Sequence, residues 1–214
     1  MVLLLIYVDD MLITCKSKER ISQLKKNLSS EFDMTDLGRV RRILGMDIFK
    51  DKKMNRLKIS QQSYLENLIA KFEMKDAKPA KVPIGTHFQI SAKLCPEIEE
   101  ERSYMEKVHY SNVVGSIMYS MVSTRSDISY VISFLNRYMG NPGNGHWIVM
   151  KWLIRYLIGT LKISLIYEKA GSKVWLDGYV DLDHDGDKDK KKKSVHSFIL
   201  LYFEWLLHKL EVTT

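Results

Sequence analysis

Cysteine is scarce in this chain, and its two cysteines, Cys15 and Cys95, lie far apart with no CxxC or Cys/His spacing. This pattern indicates neither a disulfide framework nor a structural zinc site, and it is typical of a reducing intracellular setting. No apolar run reaches the roughly 18 residues that a membrane-spanning helix needs. The N-terminal apolar run has no basic segment before it and is interrupted by Asp9 and Asp10, which is not typical of a signal peptide. We therefore predict an intracellular protein, cytoplasmic or nuclear, with no membrane partner.

Acidic residues are fewer than basic ones, since 26 Asp and Glu against 33 Lys and Arg leave a formal net charge of +7. A basic chain suits a polyanionic partner such as nucleic acid, although charge alone does not identify the partner. The 214 residues are 45% hydrophobic. The chain is therefore long enough and apolar enough to bury a core in one domain or two.

Two adjacent carboxylates, Asp9 and Asp10, interrupt a strand-like apolar run that starts at Leu3 and resumes at Met11. Apolar flanks around a short polar pair predict a tight β-hairpin with both acids at its tip. An ordinary polar turn also explains the pair, since Asp forms local hydrogen bonds in turns. Two carboxylates at a hairpin tip can equally hold a divalent metal ion.

The full word Tyr7-Val8-Asp9-Asp10, with its apolar flanks, resembles the Y-V-D-D box of reverse transcriptases, specifically those of copia-type long-terminal-repeat retrotransposons. The resemblance implies RNA-directed DNA polymerisation on a primer–template with Mg²⁺, where two metal ions assist the attacking and leaving oxygens. It makes Asp9 a catalytic metal ligand and Asp10 its support. In the family a third carboxylate comes from a strand well upstream, whereas only six residues precede the box here. We therefore expect the C-terminal part of a polymerase, which does not polymerise alone.

The next segment predicts a helix and a second hairpin. Ser17 can cap a helix whose apolar residues recur at the helical period, namely Ile21, Leu24, Leu28 and Phe32. Residues 43–59 predict a hairpin around a Lys/Asn-rich turn. Leu37-Gly38 and Leu44-Gly45 resemble the family's "DLG…LG" sequence, which precedes a hairpin that grips the primer terminus. Arg39, Arg41 and Arg42 are candidates for contact with nucleic-acid phosphates, or they form a solvated basic turn.

Helices are predicted over most of residues 60–157. Ser60 begins a helix with Ser63 and Glu66 as a capping box, and the acidic segment 85–102 predicts an exposed linker. Three apolar-striped helices then predict a small bundle. Words at 57–64, 78–83, 111–119 and 124–128 also resemble copia-type sequence. In the last helix, Lys151 and Arg155 either face a nucleic-acid duplex or form a solvated face, and His146 is predicted to be a capping or surface residue without a catalytic role.

Strands are predicted at 163–167, 174–180 and 197–203. Asp181 begins an acidic stretch that lacks the Glu closing an EF-hand loop. The stretch is similar instead to the first strand of the copia-type ribonuclease H, which makes Asp181 a catalytic, metal-binding carboxylate. His184 and Asp185 depart from the family's Trp and Ala, and the word that supplies the second carboxylate does not occur before Thr214. We expect no nuclease activity.

These patterns together predict an α+β fold. Residues 1–90 correspond to the C-terminal part of a polymerase palm, built from antiparallel hairpins plus helices, and residues 91–170 to a helical thumb or connection. Residues 171–214 correspond to the opening strands of a ribonuclease H-like α/β domain. Two alternatives stay open: a basic nucleic-acid-binding remnant without chemistry, and an unstable fragment whose uncovered apolar strand, residues 3–8, promotes aggregation.

Overall fold

The apolar run around the two aspartates forms an antiparallel hairpin, as predicted. The computed structural model describes residues 1–168 in full and, beyond them, the backbone of strands at 176–183, 196–203 and 207–211. Strand β1 (Val2–Tyr7) pairs with β2 (Asp10–Cys15), and Tyr7 lies opposite Asp10. Val8 and Asp9 therefore make a two-residue turn, and Asp10 is the first residue of the returning strand.

Helix α1 (Lys18–Glu31) follows the hairpin and begins where the sequence predicts. The Ser17 hydroxyl accepts a hydrogen bond from the backbone N–H of Arg20 at 3.3 Å. This bond satisfies one of the four free N–H groups that every helix has at its start. None of the residues of α1 is buried, so its apolar stripe packs only partly against the rest of the described chain.

The second predicted hairpin is confirmed as part of a larger sheet. Strands β3 (Arg42–Ile43), β4 (Met46–Asp51) and β5 (Arg56–Ser60) are antiparallel neighbours. The sheet continues through β6 (Ser164–Glu168) and ends at β9 (Leu207–Glu211). Arg56 lies opposite Glu168 and forms an ion pair with it. A late strand of the chain therefore returns to the early hairpin.

Two further strands form a sheet of their own. Strand β7 (Leu176–Asp183) pairs antiparallel with β8 (His196–Phe203). They lie close to the positions predicted for the last two strands. The lysine run 190–193 and the departures at His184 and Asp185 lie outside the described residues.

The core is helical and lies between α2 (Gln62–Lys71), α4 (Tyr110–Ser123), α5 (Ser129–Asn136) and α6 (Asn144–Gly159). Each of these helices carries apolar residues at the helical period and buries that face against the others. The fully buried residues of the core include Val113, Ile117, Leu135 and Leu153. Within the described residues, no helix is long and apolar enough to cross a membrane. The mixture of helices and antiparallel sheets confirms the predicted α+β class.

Two local predictions are wrong. The capping box of Ser63 and Glu66 is absent, because α2 already begins at Gln62 and the Ser60 hydroxyl accepts from the Gln62 N–H at 3.2 Å. The segment 85–102 is not simply an exposed linker, since Phe88 and Ile90 pack against the core. A short 3₁₀ helix (Ala92–Leu94) also lies within this segment, and α3 (Glu99–Glu106) begins inside it. Isolated apolar residues in a polar segment gave no periodic signal for this packing.

Candidate functional site

The hairpin tip presents Asp9 and Asp10 to solvent. Both side chains are exposed, and the turn between β1 and β2 has no other residue than Val8 and Asp9. Val8 has a φ of +49°, in a left-handed region that β-branched residues rarely adopt. A first turn residue with positive φ is typical of the type II′ hairpin, where glycine is usual. Val8 therefore stores local strain directly beside the two carboxylates.

Carboxylate oxygens are the ligands that Mg²⁺ prefers, and Mg²⁺ is commonly held by one or two carboxylates together with water and substrate phosphates. Asp9 and Asp10 fit that donor set. Within the described residues, no group of three or more His, Cys, Asp or Glu side chains comes together. The pair therefore offers two carboxylate groups, and a Mg²⁺ ion there would take its remaining oxygen ligands from elsewhere.

The strand that leads to the tip is exposed along its length. Residues Leu3, Leu4, Leu5 and Ile6 are 42–59% exposed, and Val8 is 81% exposed. Since successive residues of a strand point to opposite faces, both faces of β1 are uncovered. The predicted apolar, uncovered strand is observed.

Asp181 lies in the third sheet, near the end of β7 and opposite Phe198 of β8. Strand β7 extends three residues past the predicted strand end at residue 180 and so includes Asp181. The hairpin β1–β2 and the pair β7–β8 belong to different sheets. The structure describes only the backbone at Asp181, so its role as a metal ligand stays a prediction.

The three arginines at the start of β3 are all exposed but differ in the side-chain hydrogen bonds that they make within the described residues. Arg39 and Arg41 are exposed, whereas Arg42 donates from Nε to Asp47 at 2.7 Å and from a terminal guanidinium nitrogen to Ser63 at 3.2 Å. The Ser63 hydroxyl also donates to Asp47 at 2.8 Å. Burial alone would raise the pKa of Asp47, but the hydrogen bonds from Ser63 and Arg42 outweigh it and leave the pKa below its ordinary value.

The two cations predicted on α6 also have partners within the chain. The Lys151 ammonium lies 5.8 Å from the centre of the Trp147 ring. Arg155 donates from Nε to the Lys78 carbonyl at 2.6 Å, and its guanidinium lies 5.0 Å from the centre of the Trp152 ring. The segment around Lys78 is thereby tied to α6. Neither cation is fully exposed, which favours a structural contribution from both.

His146 caps α6, as predicted, but it is buried rather than at the surface. Its Nδ1 accepts a hydrogen bond from the backbone N–H of Gly143 at 3.1 Å, and its ring stacks on Tyr138 with 4.2 Å between ring centres. The ring is fully buried. A small glycine-rich loop before the helix gives the only sequence signal for this arrangement.

A buried ion pair was missed by the sequence analysis. The Arg125 guanidinium is fully buried and contacts both carboxylate oxygens of Asp127, at 2.9 and 2.8 Å. It also donates to the carbonyl and hydroxyl oxygens of Thr160, at 3.1 and 2.7 Å, while the Tyr156 hydroxyl donates to Asp127 at 2.8 Å. The segment after α4 is thereby bound to the end of α6. The word Thr124-Arg125-Ser126-Asp127-Ile128 was the available signal, but its partners lie more than 25 residues away.

Comparison with known proteins places this hairpin in a family. Residues 1–86 match the reverse transcriptase (RNA-dependent DNA polymerase) family. A retrovirus-related Pol polyprotein from transposon TNT 1-94 of Nicotiana tabacum is 46% identical over 90% of this chain. This chain belongs to the reverse transcriptase family of retrotransposon polyproteins. The copia-type resemblance inferred from the Y-V-D-D word is confirmed.

Other relatives extend the similarity beyond the reverse transcriptase segment. The polyprotein from transposon RE1 of Arabidopsis thaliana is 32% identical over 88% of this chain. An uncharacterized mitochondrial protein of the same plant is 31% identical over 86% of this chain and 72% of its own length. The chain spans only 14% and 12% of the lengths of the TNT 1-94 and RE1 polyproteins. No solved structure matches the chain.

Proposed function

We propose that this reverse transcriptase segment contributes the metal-binding hairpin of an RNA-directed DNA polymerase from a copia-type retrotransposon. One observation carries the proposal: Asp9 and Asp10 stand exposed at the tip of a two-residue hairpin turn, inside the segment that matches the family. An Asp pair in an irregular loop would not have this defined strand register. The β1–β2 register defines the backbone positions of Asp9 and Asp10.

Asp9 and Asp10 would hold Mg²⁺ through their carboxylate oxygens. When bound, Mg²⁺ supplies Lewis-acid stabilisation of the attacking and leaving oxygens in phosphoryl transfer. The two-residue turn places Asp9 at the tip, and the strand pairing of Asp10 with Tyr7 places the second carboxylate beside it. The hairpin thus brings two negative charges together at one turn.

A third carboxylate is needed to hold two metal ions, and the described residues do not bring one to the hairpin. The transposon polyproteins are several times longer than this chain. We infer that polyprotein sequence outside these 214 residues supplies that ligand. On its own, this chain is expected to bind Mg²⁺ weakly and not to extend a primer.

The three-part division follows from the same proposal. Residues 1–90 would belong to the palm, residues 91–170 to a helical connection, and residues 171–214 to the opening of a ribonuclease H-like domain. The strand placement of Asp181 supports the last assignment. Nuclease activity would require the further carboxylates that complete a two-metal site.

The metal site can be tested directly on this chain. Mg²⁺ is titrated while backbone amide resonances are followed by NMR, and we expect the shifts to concentrate at residues 7–11. Asp9→Asn should abolish those shifts, whereas Asp33→Asn, which changes an exposed aspartate after α1, should leave them intact. Shifts that persist in Asp9→Asn, or that centre elsewhere, would refute the hairpin as the metal site.

A second candidate function is nucleic-acid binding without chemistry. The net charge of +7 and the exposure of Arg39 and Arg41 favour it. It predicts salt-sensitive binding, independent of base sequence, that survives Asp9→Asn. The polymerase proposal predicts instead that the same substitution, in the complete polyprotein, abolishes Mg²⁺-dependent primer extension. Fluorescence anisotropy and primer extension on the same variant separate the two.

A further inference from the structure

The turn between β3 and β4 has an unusual backbone. Ile43 lies opposite Met46, so Leu44 and Gly45 make up the whole turn. Both have positive φ, +49° for Leu44 and +71° for Gly45, as in a type I′ turn. Glycine adopts this conformation freely, but leucine does so only at a cost. A turn with leucine in this conformation keeps its shape only when surrounding contacts hold it.

Two tyrosines from the helical core hold this turn. The Tyr119 hydroxyl, on α4, donates a hydrogen bond to the Leu44 carbonyl. The Tyr64 ring, on α2, lies against Gly45 so closely that a Cβ there would be 3.4 Å from the ring. The Tyr64 hydroxyl donates to the Ser116 carbonyl at 3.1 Å. The two rings meet edge to face with 5.2 Å between their centres, so the tyrosines support each other as well as the turn.

The turn is also fixed from its β3 side. Arg42 and Asp47 lie opposite each other across the β3–β4 pair and are joined by their ion pair, which Ser63 of α2 extends. The exposed Arg39 and Arg41 directly precede this strand. Their position relative to the core therefore depends on how firmly the turn is attached to α2 and α4.

We propose that Tyr119 is a positioning residue, which holds the Leu44–Gly45 turn and the adjoining Arg39 and Arg41 in the orientation that contacts a primer terminus. This inference rests on the proposed polymerase function and on the primer contact that the family resemblance implies for this hairpin. Tyr119 lies outside residues 1–86, the segment that matches the reverse transcriptase family. In this proposal the helical connection, through α4, supports a turn of the palm.

The test removes one hydroxyl. Tyr119→Phe keeps the ring packed against Tyr64 and deletes only the bond to Leu44. Tyr130→Phe is the matched control, since Tyr130 lies on α5 and is 51% exposed. Hydrogen exchange at the backbone amides of residues 43–47 should become about fivefold faster in Tyr119→Phe, the size expected for one lost hydrogen bond. The control should leave the exchange unchanged.

A binding measurement distinguishes positioning from simple support of the fold. Wild type should bind a duplex with a recessed 3′ end more tightly than a blunt duplex of the same length. Tyr119→Phe should lower that preference several-fold while the midpoint of thermal unfolding stays within error of wild type. A second substitution, Leu44→Gly, removes the cost of the left-handed leucine, so Tyr119→Phe should have a smaller effect in that background.

The outcomes distinguish the proposed primer contact from the positioning role of Tyr119. A wild-type protein without preference for recessed ends would overturn the proposed primer contact, and the positioning role with it. A wild-type preference that Tyr119→Phe leaves intact would overturn the positioning role alone. Equal losses in Tyr119→Phe and Tyr130→Phe would also overturn it, because the effect would then not depend on the bond to Leu44.

Discussion

At the scale of single residues, the five cations predicted to contact nucleic acid are not equivalent. Arg39 and Arg41 are exposed, whereas Arg42 is joined to Asp47 and Arg155 to the Lys78 carbonyl. Lys151 lies near the Trp147 ring. A cation that already has a partner gains less from a phosphate, because the first interaction must be given up or shared.

The exposed pair should therefore account for most of the salt-dependent binding. Replacing Arg39 and Arg41 together with glutamine should weaken binding to any duplex and reduce the slope of log K against log salt by about 1 for each charge. Arg42→Gln is the control within the same segment, and it should change stability more than the slope. An unchanged slope in the double variant would show that the phosphate contacts lie elsewhere.

The buried ion pair gives a second prediction at this scale. Arg125 is 1% exposed at its side chain and Asp127 20%, so Asp127→Asn leaves a buried guanidinium without its counter-charge. We expect a loss of about 3 kcal/mol in the free energy of unfolding, since breaking such a pair from one side is costly. Urea denaturation measures the loss. Asp36→Asn breaks an exposed pair with Lys25 and should have little effect.

The same pair makes stability depend on pH. Burial alone would raise the pKa of Asp127, but hydrogen bonds and charge from Arg125, with the Tyr156 hydroxyl, outweigh it and leave the pKa below its ordinary value. A lowered folded-state pKa means that the ionised form stabilises the protein above the unfolded-state pKa of about 3.9. The stability gap between wild type and Asp127→Asn should be full above about pH 5 and should shrink as the solution is acidified below that. A gap that stays constant down to pH 3 would contradict this account.

At the scale of elements, the periodic patterns predicted most of the fold. The apolar runs that flank Asp9 and Asp10 predicted β1–β2, and the apolar stripe after Ser17 predicted α1, because each signal lies within a few neighbouring residues. The capping of α2 and the packing of Phe88 were not predictable in this way. The start of α2 is a local shift that helical periodicity does not resolve, since the Ser60 hydroxyl lies only two residues before Gln62. The packing of Phe88 depends on residues far away in the chain, such as Trp152. The partners of Arg42 and Arg125 escaped prediction for the same reason.

The segment from Lys78 to Val82 packs closely against Gly159 at the end of α6. Arg155 and Trp152 of α6 donate to the carbonyls of Lys78 and Val82, and the Ala80 N–H donates to the Arg155 carbonyl at 3.1 Å. At the end of α6, a Cβ on Gly159 would lie 3.2 Å from Pro79 and 3.3 Å from the Ala80 carbonyl oxygen. Because these three hydrogen bonds hold residues 78–82 against α6, the segment cannot shift easily to make room for an added Cβ.

Gly159→Ala should consequently lower the free energy of unfolding by about 1 kcal/mol, the low end of the cost of overpacking. Gly115→Ala is the matched control in α4, where an added Cβ would meet nothing within 4 Å. That change should raise stability by about 0.5–1 kcal/mol, because alanine loses less backbone freedom in a helix than glycine. Stabilisation by both substitutions would mean that residues 78–82 can shift at no cost.

At the scale of the whole molecule, burial is unevenly distributed. The buried core joins α2, α4, α5 and α6, whereas α1 buries no residue and the strand that leads to Asp9 is exposed on both faces. Sequence patterns predicted that α4, α5 and α6 form a bundle, but not that α2 shares its core or that α1 and the first hairpin lie outside it. The uncovered hairpin strands are at least as rich in apolar residues as the core helices α4 and α6, so apolar content does not identify the core and only the three-dimensional arrangement does.

This distribution predicts that the chain opens in two stages. A two-stranded hairpin without cover is at best marginally stable in water, and segments with few buried contacts open at low free energy. Backbone amides in residues 2–31 should therefore exchange with solvent much faster than those in α4 and α6, and trypsin should cut first at the lysines and arginines of α1. Hydrogen exchange and limited proteolysis, both read by mass spectrometry, measure this order. If residues 2–31 were as well protected as the core, or if cleavage began in α4, then the hairpin would be covered in solution, and Asp9 and Asp10 would lie at an interface instead of an open metal site.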